Sequence, residues 1–188
     1  MEQRNARLLR TSALRRWAAI LACALSQAAA AQTIEFAQDL ARSARDAAAA
    51  RVPLLVFYTQ PGCPYCDEAR RNYLGPMNAD PAMRKTLRIV ELDITSETTL
   101  VDFSGRGTTP RAFAEAQRVR FVPVVAFHGA RGEPLARPLI GLTVPGFYQS
   151  YLDRRIEEAL ARIAATAKRS RRLSPAPPAR APQTTGGG

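Results

Sequence analysis

The chain is poor in side chains that bind metals or form disulfides, because its 188 residues include three cysteines and one histidine. Two of the cysteines, Cys63 and Cys66, share one short motif, and the third, Cys23, lies among the first 31 residues. A structural zinc site needs four ligands, and a disulfide framework needs several cysteine pairs. We therefore expect no metal or other bound cofactor, unless ligands are shared between molecules, and no framework of structural disulfides.

The chain also has no apolar run long enough to span a membrane. The N-terminal apolar segment, residues 17–25, is well short of the ~20 residues that a membrane-spanning helix needs. Small residues follow it over 26–31, and five arginines precede it: Arg4, Arg7, Arg10, Arg15 and Arg16. This order is typical of a secretory signal peptide, so we predict export to the periplasm with cleavage near Ala31. The alternatives are a membrane anchor and lipidation of Cys23, the latter disfavoured because Leu21 fits a lipoprotein cleavage box poorly.

Acidic residues are scarce only at the two ends of the chain. The whole chain carries a formal net charge of +11. Residues 32–167 are nearly balanced, with 17 basic and 15 acidic side chains, and the excess lies in residues 1–31 and 168–188. A basic face with interleaved aromatic residues is not visible in 32–167, so we expect no nucleic-acid partner. The composition predicts one domain over 32–167 and a disordered, basic, Pro- and Gly-rich tail over 168–188.

A strand and a pair of cysteines form the central motif of the domain. Residues 53–58 are a continuous apolar run, which is typical of a strand buried on both faces. Cys63 and Cys66 follow after a short turn, and 67–73 has helix-forming composition. Unpaired N–H groups and the helix dipole at this position favour a thiolate at Cys63. Cys66 lies nearly one turn later, from where it can attack a mixed disulfide at Cys63, so the motif predicts thiol–disulfide exchange.

The rest of the domain alternates between helices and strands. Gly75 and Pro76 are expected to end the helix after the cysteines, and residues 95–109 are interpreted as a loop. Apolar spacing predicts helices over 34–50, 110–119 and 145–166, and strands over 87–94, 121–127 and 134–140, the last two joined by a turn at 128–133. This order indicates an α/β domain with a mixed sheet between helices.

These motifs together resemble the thioredoxin superfamily, and within it the secreted thioredoxin-like proteins of the SoxW type. The resemblance spans nearly all of 34–163. It is carried by Phe-Tyr-Thr-Gln-Pro-Gly-Cys-Pro-Tyr-Cys at 57–66, by Val-Glu-Leu-Asp-Ile at 90–94 and by Val-Arg-Phe-Val-Pro at 119–123. It implies a thioredoxin-like fold, in which helices sandwich a mixed central sheet of about four to five strands.

The resemblance also implies a substrate site. In this superfamily the proline before the third core strand is cis and lies against the active-site disulfide, and the matching residue here is Pro123. The backbone of Val122 would then hydrogen-bond to an incoming extended polypeptide. Pro64 and Tyr65, which lie between the cysteines, are further candidates for substrate contact, and Tyr65 is expected to be exposed.

Two features depart from the superfamily pattern. Thioredoxins carry a buried acid on the strand before the motif, whereas Phe57 stands at the corresponding position, so we assign no proton-moving acid. Pro64 and Tyr65 form the dipeptide of glutaredoxins, but Phe121 stands where glutaredoxins have threonine, two residues before Pro123. Specificity for glutathione is therefore weakly supported.

Three other polar residues, Arg70, Arg71 and His128, are expected to be solvated and to take no part in catalysis. Arg70 and Arg71 are expected to solvate the exposed face of the helix after the cysteines. His128, far in sequence from Cys63, is expected to be a solvated residue of a tight turn and not a catalytic base.

The sequence thus predicts an exported, monomeric thiol–disulfide oxidoreductase that reduces disulfides of partner proteins. Its electrons would come from a membrane thiol carrier. One alternative is an oxidant or isomerase that acts on disulfides of folding proteins in the periplasm. Another is a non-enzymatic module in which Cys63 and Cys66 form a structural staple or a metal clip.

Overall fold

The domain is built on one mixed four-stranded sheet. The computed structural model describes residues 33–142 and 146–173. Its strands are β1 (Leu54–Thr59), β2 (Arg88–Asp93), β3 (Leu100–Val101), β4 (Gly107–Thr108), β5 (Val124–His128) and β6 (Leu139–Ile140). The main sheet has the order β2-β1-β5-β6, in which β1 is parallel to β2 and antiparallel to β5, and β5 is antiparallel to β6. This confirms the predicted α/β class with a mixed sheet.

Helices cover both faces of this sheet. They are α1 (Leu40–Ala49), α2 (Pro64–Ala69), α3 (Gly75–Ala79), α4 (Pro110–Ala116) and α5 (Tyr148–Leu173), with a π-helical turn (Arg70–Leu74) and a 3₁₀ turn (Met83–Lys85) before β2. One apolar core joins the sheet to α2, α3 and α5, and a second core joins the other face to α1 and α4. The central strand β1 feeds both cores, because Leu55 and Phe57 face the first and Leu54, Val56 and Tyr58 the second.

The first helix begins later than the apolar spacing predicts. Residues 34–39 are not helical and bridge to the main sheet: Glu91 donates its N–H to the Glu35 carbonyl over 2.8 Å, and Ala37 donates to the Glu91 carbonyl over 2.8 Å. Helix α1 starts after Asp39, whose side chain accepts a 2.7 Å hydrogen bond from the backbone N–H of Arg42. An N-cap of this kind satisfies a helix-end donor, so the cap fixes where the helix starts.

The helix after the cysteines does not end at Gly75. It widens into the π-helical turn, in which Gly75 donates its N–H to the Arg70 carbonyl, and continues as α3. Pro76 lacks an N–H and would leave an α-helical acceptor without its donor, and the wider turn precedes it directly. The expected break is therefore a change of helical pitch.

The segment predicted as a loop, residues 95–109, contains the small hairpin β3–β4. Asp102 organises its turn, since Oδ1 accepts hydrogen bonds from the N–H groups of Ser104 at 2.8 Å and Arg106 at 2.9 Å. Together with the Ser104 hydroxyl, these bonds lower the pKa of Asp102 to about 2. Thr109 then caps α4 through a 3.2 Å bond from the N–H of Ala112.

Element ends in the C-terminal half also differ from the prediction. Helix α4 ends at Ala116, β5 extends to His128, and β6 is limited to two residues. Helix α5 starts at Tyr148 and continues to Leu173, beyond the predicted end at residue 166, so residues 168–173 are helical and not part of a disordered tail. The predicted signal segment 1–31, the remaining tail 174–188 and the predicted helix start at Pro145 lie outside the described residues.

Candidate functional site: a disulfide at the start of a helix

Cys63 and Cys66 are joined by a disulfide at the junction of β1 and α2. Cys63 is the N-cap residue of α2, with an extended backbone, and its Sγ accepts a 3.1 Å hydrogen bond from the N–H of Cys66. Pro64 occupies the first turn, where a missing N–H leaves no acceptor unpaired. When the disulfide is open, the sulfur of Cys63 lies where free helix N–H groups stabilise negative charge.

The two sulfur-bearing residues differ in access to solvent. Cys63 is 7% exposed, whereas Cys66 is fully buried within the core that joins α2 to the sheet. Tyr65 between them is 62% exposed. A partner thiol or disulfide arriving from solvent meets Cys63 first.

The loop before β5 lies at the same edge of the sheet as the disulfide. Val124 at the start of β5 is paired with Tyr58 near the end of β1, so the residues just before β5 lie beside those just after β1. The Val122–Pro123 peptide bond is cis, the isomer expected from the resemblance. The Pro123 carbonyl accepts a 2.8 Å hydrogen bond from the N–H of Gly141, which ties this loop to the end of β6.

Two exposed apolar side chains lie next to the loop before β5. Phe121, two residues before Pro123, is 76% exposed, and Ile140, which is paired with Val124, is 59% exposed. Phe121 and Ile140 line one pocket together with Val124, and Tyr65 is exposed between the two cysteines. Exposed aromatic and aliphatic groups of this kind favour contact with another polypeptide.

The comparison with known proteins decides the family. The profile of the thioredoxin-like domain family matches residues 40–155, more than half of the chain. The chain belongs to this family. In this thioredoxin-like protein the matched region contains the disulfide, the cis peptide bond and all four strands of the main sheet. No significant match to a curated protein was found.

Solved structures share the thioredoxin-like fold. DsbH oxidoreductase is 16% identical, with a TM-score of 0.50, and the match covers 70% of this chain and 88% of that one. Trxlp from Edwardsiella tarda is 24% identical over 64% of this chain and 98% of its own, with a TM-score of 0.44. The periplasmic thioredoxin SoxS from Paracoccus pantotrophus is 20% identical over 57% and 98%, with a TM-score of 0.40. At these identities the likeness concerns the fold alone, and the expected SoxW type stays a prediction.

A buried charge cluster lies under the disulfide-bearing helix of this thioredoxin-like domain, and the sequence interpretation missed it. Glu91 on β2 is 2% exposed and is paired in register with Phe57 of β1. Its Oε1 accepts hydrogen bonds from the Thr59 hydroxyl at 2.7 Å and from Arg70 Nη2 at 2.5 Å, and its Oε2 accepts from Arg70 Nε at 3.0 Å. Arg70 also donates to Asp67 Oδ1 at 2.6 Å.

Arg70 is therefore not a solvating residue of an exposed face. Its side chain is 31% exposed, and its guanidinium carbon lies 5.8 Å from the centre of the Phe57 ring. The hydrogen bond to Glu91 is the main reason that the pKa of Arg70 is raised above its ordinary value. Arg71, the next residue, is exposed as expected. The sequence signal for the cluster is an acid within the apolar strand Ile-Val-Glu-Leu, because a buried carboxylate requires a partner.

His128 does not belong to the disulfide site. It ends β5, opposite the end that carries Pro123, a separation of about 13 Å along a strand of this length. The residue is buried, its Nδ1 lies 3.0 Å from the Gly132 carbonyl, and its ring centre is 4.7 Å from that of Phe103. Burial lowers the pKa of His128, so the ring is neutral at pH 7. The predicted solvated turn histidine is therefore a buried strand residue.

Within residues 33–142 and 146–173, no cluster of three or more histidine, cysteine, aspartate or glutamate side chains is arranged to hold a metal ion.

Proposed function

We propose that this protein is an exported thiol–disulfide oxidoreductase, with Cys63 as the nucleophile and Cys66 as the resolving cysteine. The observation that carries the proposal is the asymmetry of the pair. Cys63 is the N-cap of α2 and keeps some exposure, whereas Cys66 is fully buried beside it. Thiolates at helix N-termini are stabilised and accessible sulfurs are attacked first, so both factors favour Cys63.

The exchange proceeds in two balanced steps. The Cys63 thiolate attacks one sulfur of a partner disulfide, forms a mixed disulfide and releases the other partner sulfur as a thiolate. Cys66 then loses its proton and attacks Sγ of Cys63, which reforms the Cys63–Cys66 disulfide and releases the second partner thiolate. Two electrons pass to the partner; the proton of Cys66 goes to one released thiolate, and the other released thiolate takes a proton from solvent. Cys66 needs no access to solvent, because its target sulfur is three residues away.

The proposed substrates are proteins. The backbone of Val122, before cis-Pro123, lies at the sheet edge that carries the disulfide, where an extended polypeptide can pair with it. The exposed side chains of Tyr65, Phe121 and Ile140 are proposed to supply apolar contact. Pro64 limits movement of the first turn of α2.

The proposed direction is reductive, and the proposed compartment is the periplasm. The N-terminal pattern of arginines, a short apolar segment and small residues supports export. In the described part of the chain, no helix is both long enough and apolar enough to cross a membrane. A reductant outside the cytoplasm needs an electron supply, and a membrane thiol carrier is the chemical class that fits. We propose a monomer as the working form.

The proposal is tested by trapping. Cys66→Ser should accumulate a mixed disulfide with a protein substrate through Cys63, detected on non-reducing gels and reversed by dithiothreitol. Cys63→Ser is the matched control and should trap little. Equal trapping by both variants would contradict the assigned roles. The reduction potential of the parent then decides direction: a value near about −270 mV supports a reductant, and one near about −120 mV an oxidant.

The near-complete burial of the pair favours one other candidate, a structural disulfide. Such a staple should resist dithiothreitol, and because it closes a loop of only a few residues, its reduction should lower the free energy of unfolding by about 2 kcal/mol. Ready reduction with little loss of stability would exclude this candidate.

A further inference from the structure

The Arg70–Glu91 ion pair takes no part in the exchange steps. Arg70, however, directly follows α2, the helix that begins with the two cysteines, and donates a hydrogen bond to Asp67 of that helix. Arg70 follows Cys66 by four residues and Cys63 by seven, a spacing that places it on their side of the helix. Its guanidinium is fixed from three elements: α2 through Asp67, β2 through Glu91, and β1 through the Phe57 ring. A permanent charge is thereby held in one place beside the redox pair.

Glu91 offsets part of the electrostatic effect that Arg70 has on the two cysteine sulfurs. The carboxylate accepts two hydrogen bonds from Arg70 and lies almost completely out of solvent. In such surroundings charges are poorly screened, so both members of the pair act on a thiolate formed nearby. The positive member stabilises the thiolate and the negative member destabilises it. The stability of the reduced dithiol form therefore depends on the difference between these two effects.

We propose that Arg70 and Glu91 are positioning residues that set the redox equilibrium of Cys63 and Cys66, in opposite directions. The inference rests on the proposed function, because it requires that the pair open and close. Loss of Glu91 stabilises the thiolate, favours the reduced form and makes the protein more oxidising. Loss of Arg70 has the reverse effect and makes it more reducing. If the two residues served only in packing, their loss would not shift the redox equilibrium in opposite directions.

The test measures the equilibrium of the full-length protein with reduced and oxidised glutathione. Glu91→Gln should shift the equilibrium constant toward the dithiol about tenfold, and Arg70→Gln toward the disulfide by a similar factor. This is the order expected for a charge about 10 Å away at an effective dielectric constant of about 20. Tenfold corresponds to about 30 mV for this two-electron couple. Arg70→Lys, which keeps the charge, should stay within about twofold of the parent.

Arg71→Gln is the matched control, because it removes the same charge from an exposed neighbour and should shift the constant by less than about twofold. Shifts of the same sign in Glu91→Gln and Arg70→Gln, or none, would overturn the inference. Circular dichroism checks that each variant is folded. If Arg70→Gln does not fold, the isosteric variant Glu91→Gln alone decides. The absence of its predicted shift then overturns the inference. A parent pair that does not equilibrate with glutathione refutes the proposed function instead.

Discussion

Removal of one buried hydroxyl should make this protein more stable. Tyr148 begins α5 and is 1% exposed, with its ring edge-on to that of Tyr73 at 4.9 Å. Its hydroxyl is buried and has no hydrogen-bond partner among the residues that the structure describes. An unpaired buried hydroxyl costs about 1–3 kcal/mol, and Phe keeps the ring contacts. Tyr148→Phe should therefore raise the free energy of unfolding by about 1–2 kcal/mol.

The assay is urea unfolding of the oxidised protein, read as a higher midpoint at an unchanged slope. Tyr73→Phe is the control and should change stability by less than about 0.5 kcal/mol, because this ring is only partly buried. Burial also raises the pKa of Tyr148 above its ordinary value of 10.0. The unfolded chain then ionises first, so the parent loses stability as the pH rises above about 10, and Tyr148→Phe should lose less. A clear destabilisation by Tyr148→Phe would refute the reasoning and show that the hydroxyl is hydrogen-bonded.

The remaining predictions concern the core and the buried histidine. Leu152→Ala removes a fully buried side chain that attaches α5 to the sheet and should cost about 3 kcal/mol in urea unfolding, whereas Leu160→Ala, at a partly buried position, should cost less than half of that. Equal losses would contradict the packing described. Because burial lowers the pKa of His128 below 6.5, the unfolded chain takes up the proton first, and stability falls as the pH drops below that value. His128→Gln should flatten the stability profile between about pH 7 and pH 5, and an unchanged slope would place the titrating group elsewhere.

Local signals account for the parts of the fold that the sequence predicted well. All six residues of β1 are buried, as their continuous apolar run indicates for a central strand. Cys63 and Pro64 occupy the N-cap and first-turn positions that their chemistry favours. In each case the information lies within a few consecutive residues, so no tertiary contact had to be known.

The misplaced elements depend on partners that are distant in sequence. Residues 34–39 have helical spacing, yet the backbone of Glu35 and Ala37 pairs with Glu91, more than 50 residues away. His128 follows a strand and precedes a glycine, a context typical of an exposed turn, but the ring of Phe103 covers it. Local propensity is weak relative to such contacts, which is why element ends were predicted less well than element types.

The Arg70–Glu91 pair also depends on a contact between residues that are distant in sequence, and its burial calls for a functional explanation. An arginine on a helix and an acid in a strand are each ordinary, and only the register that pairs Phe57 with Glu91 brings them together. Buried ion pairs are weak evidence for stability, since well-packed apolar replacements are often neutral or stabilising. Stability alone therefore explains poorly why a carboxylate lies at this point in the core. Its place under the helix of Cys63 and Cys66 favours an electrostatic role, so the redox equilibrium and not the melting temperature is the property that should respond in opposite directions.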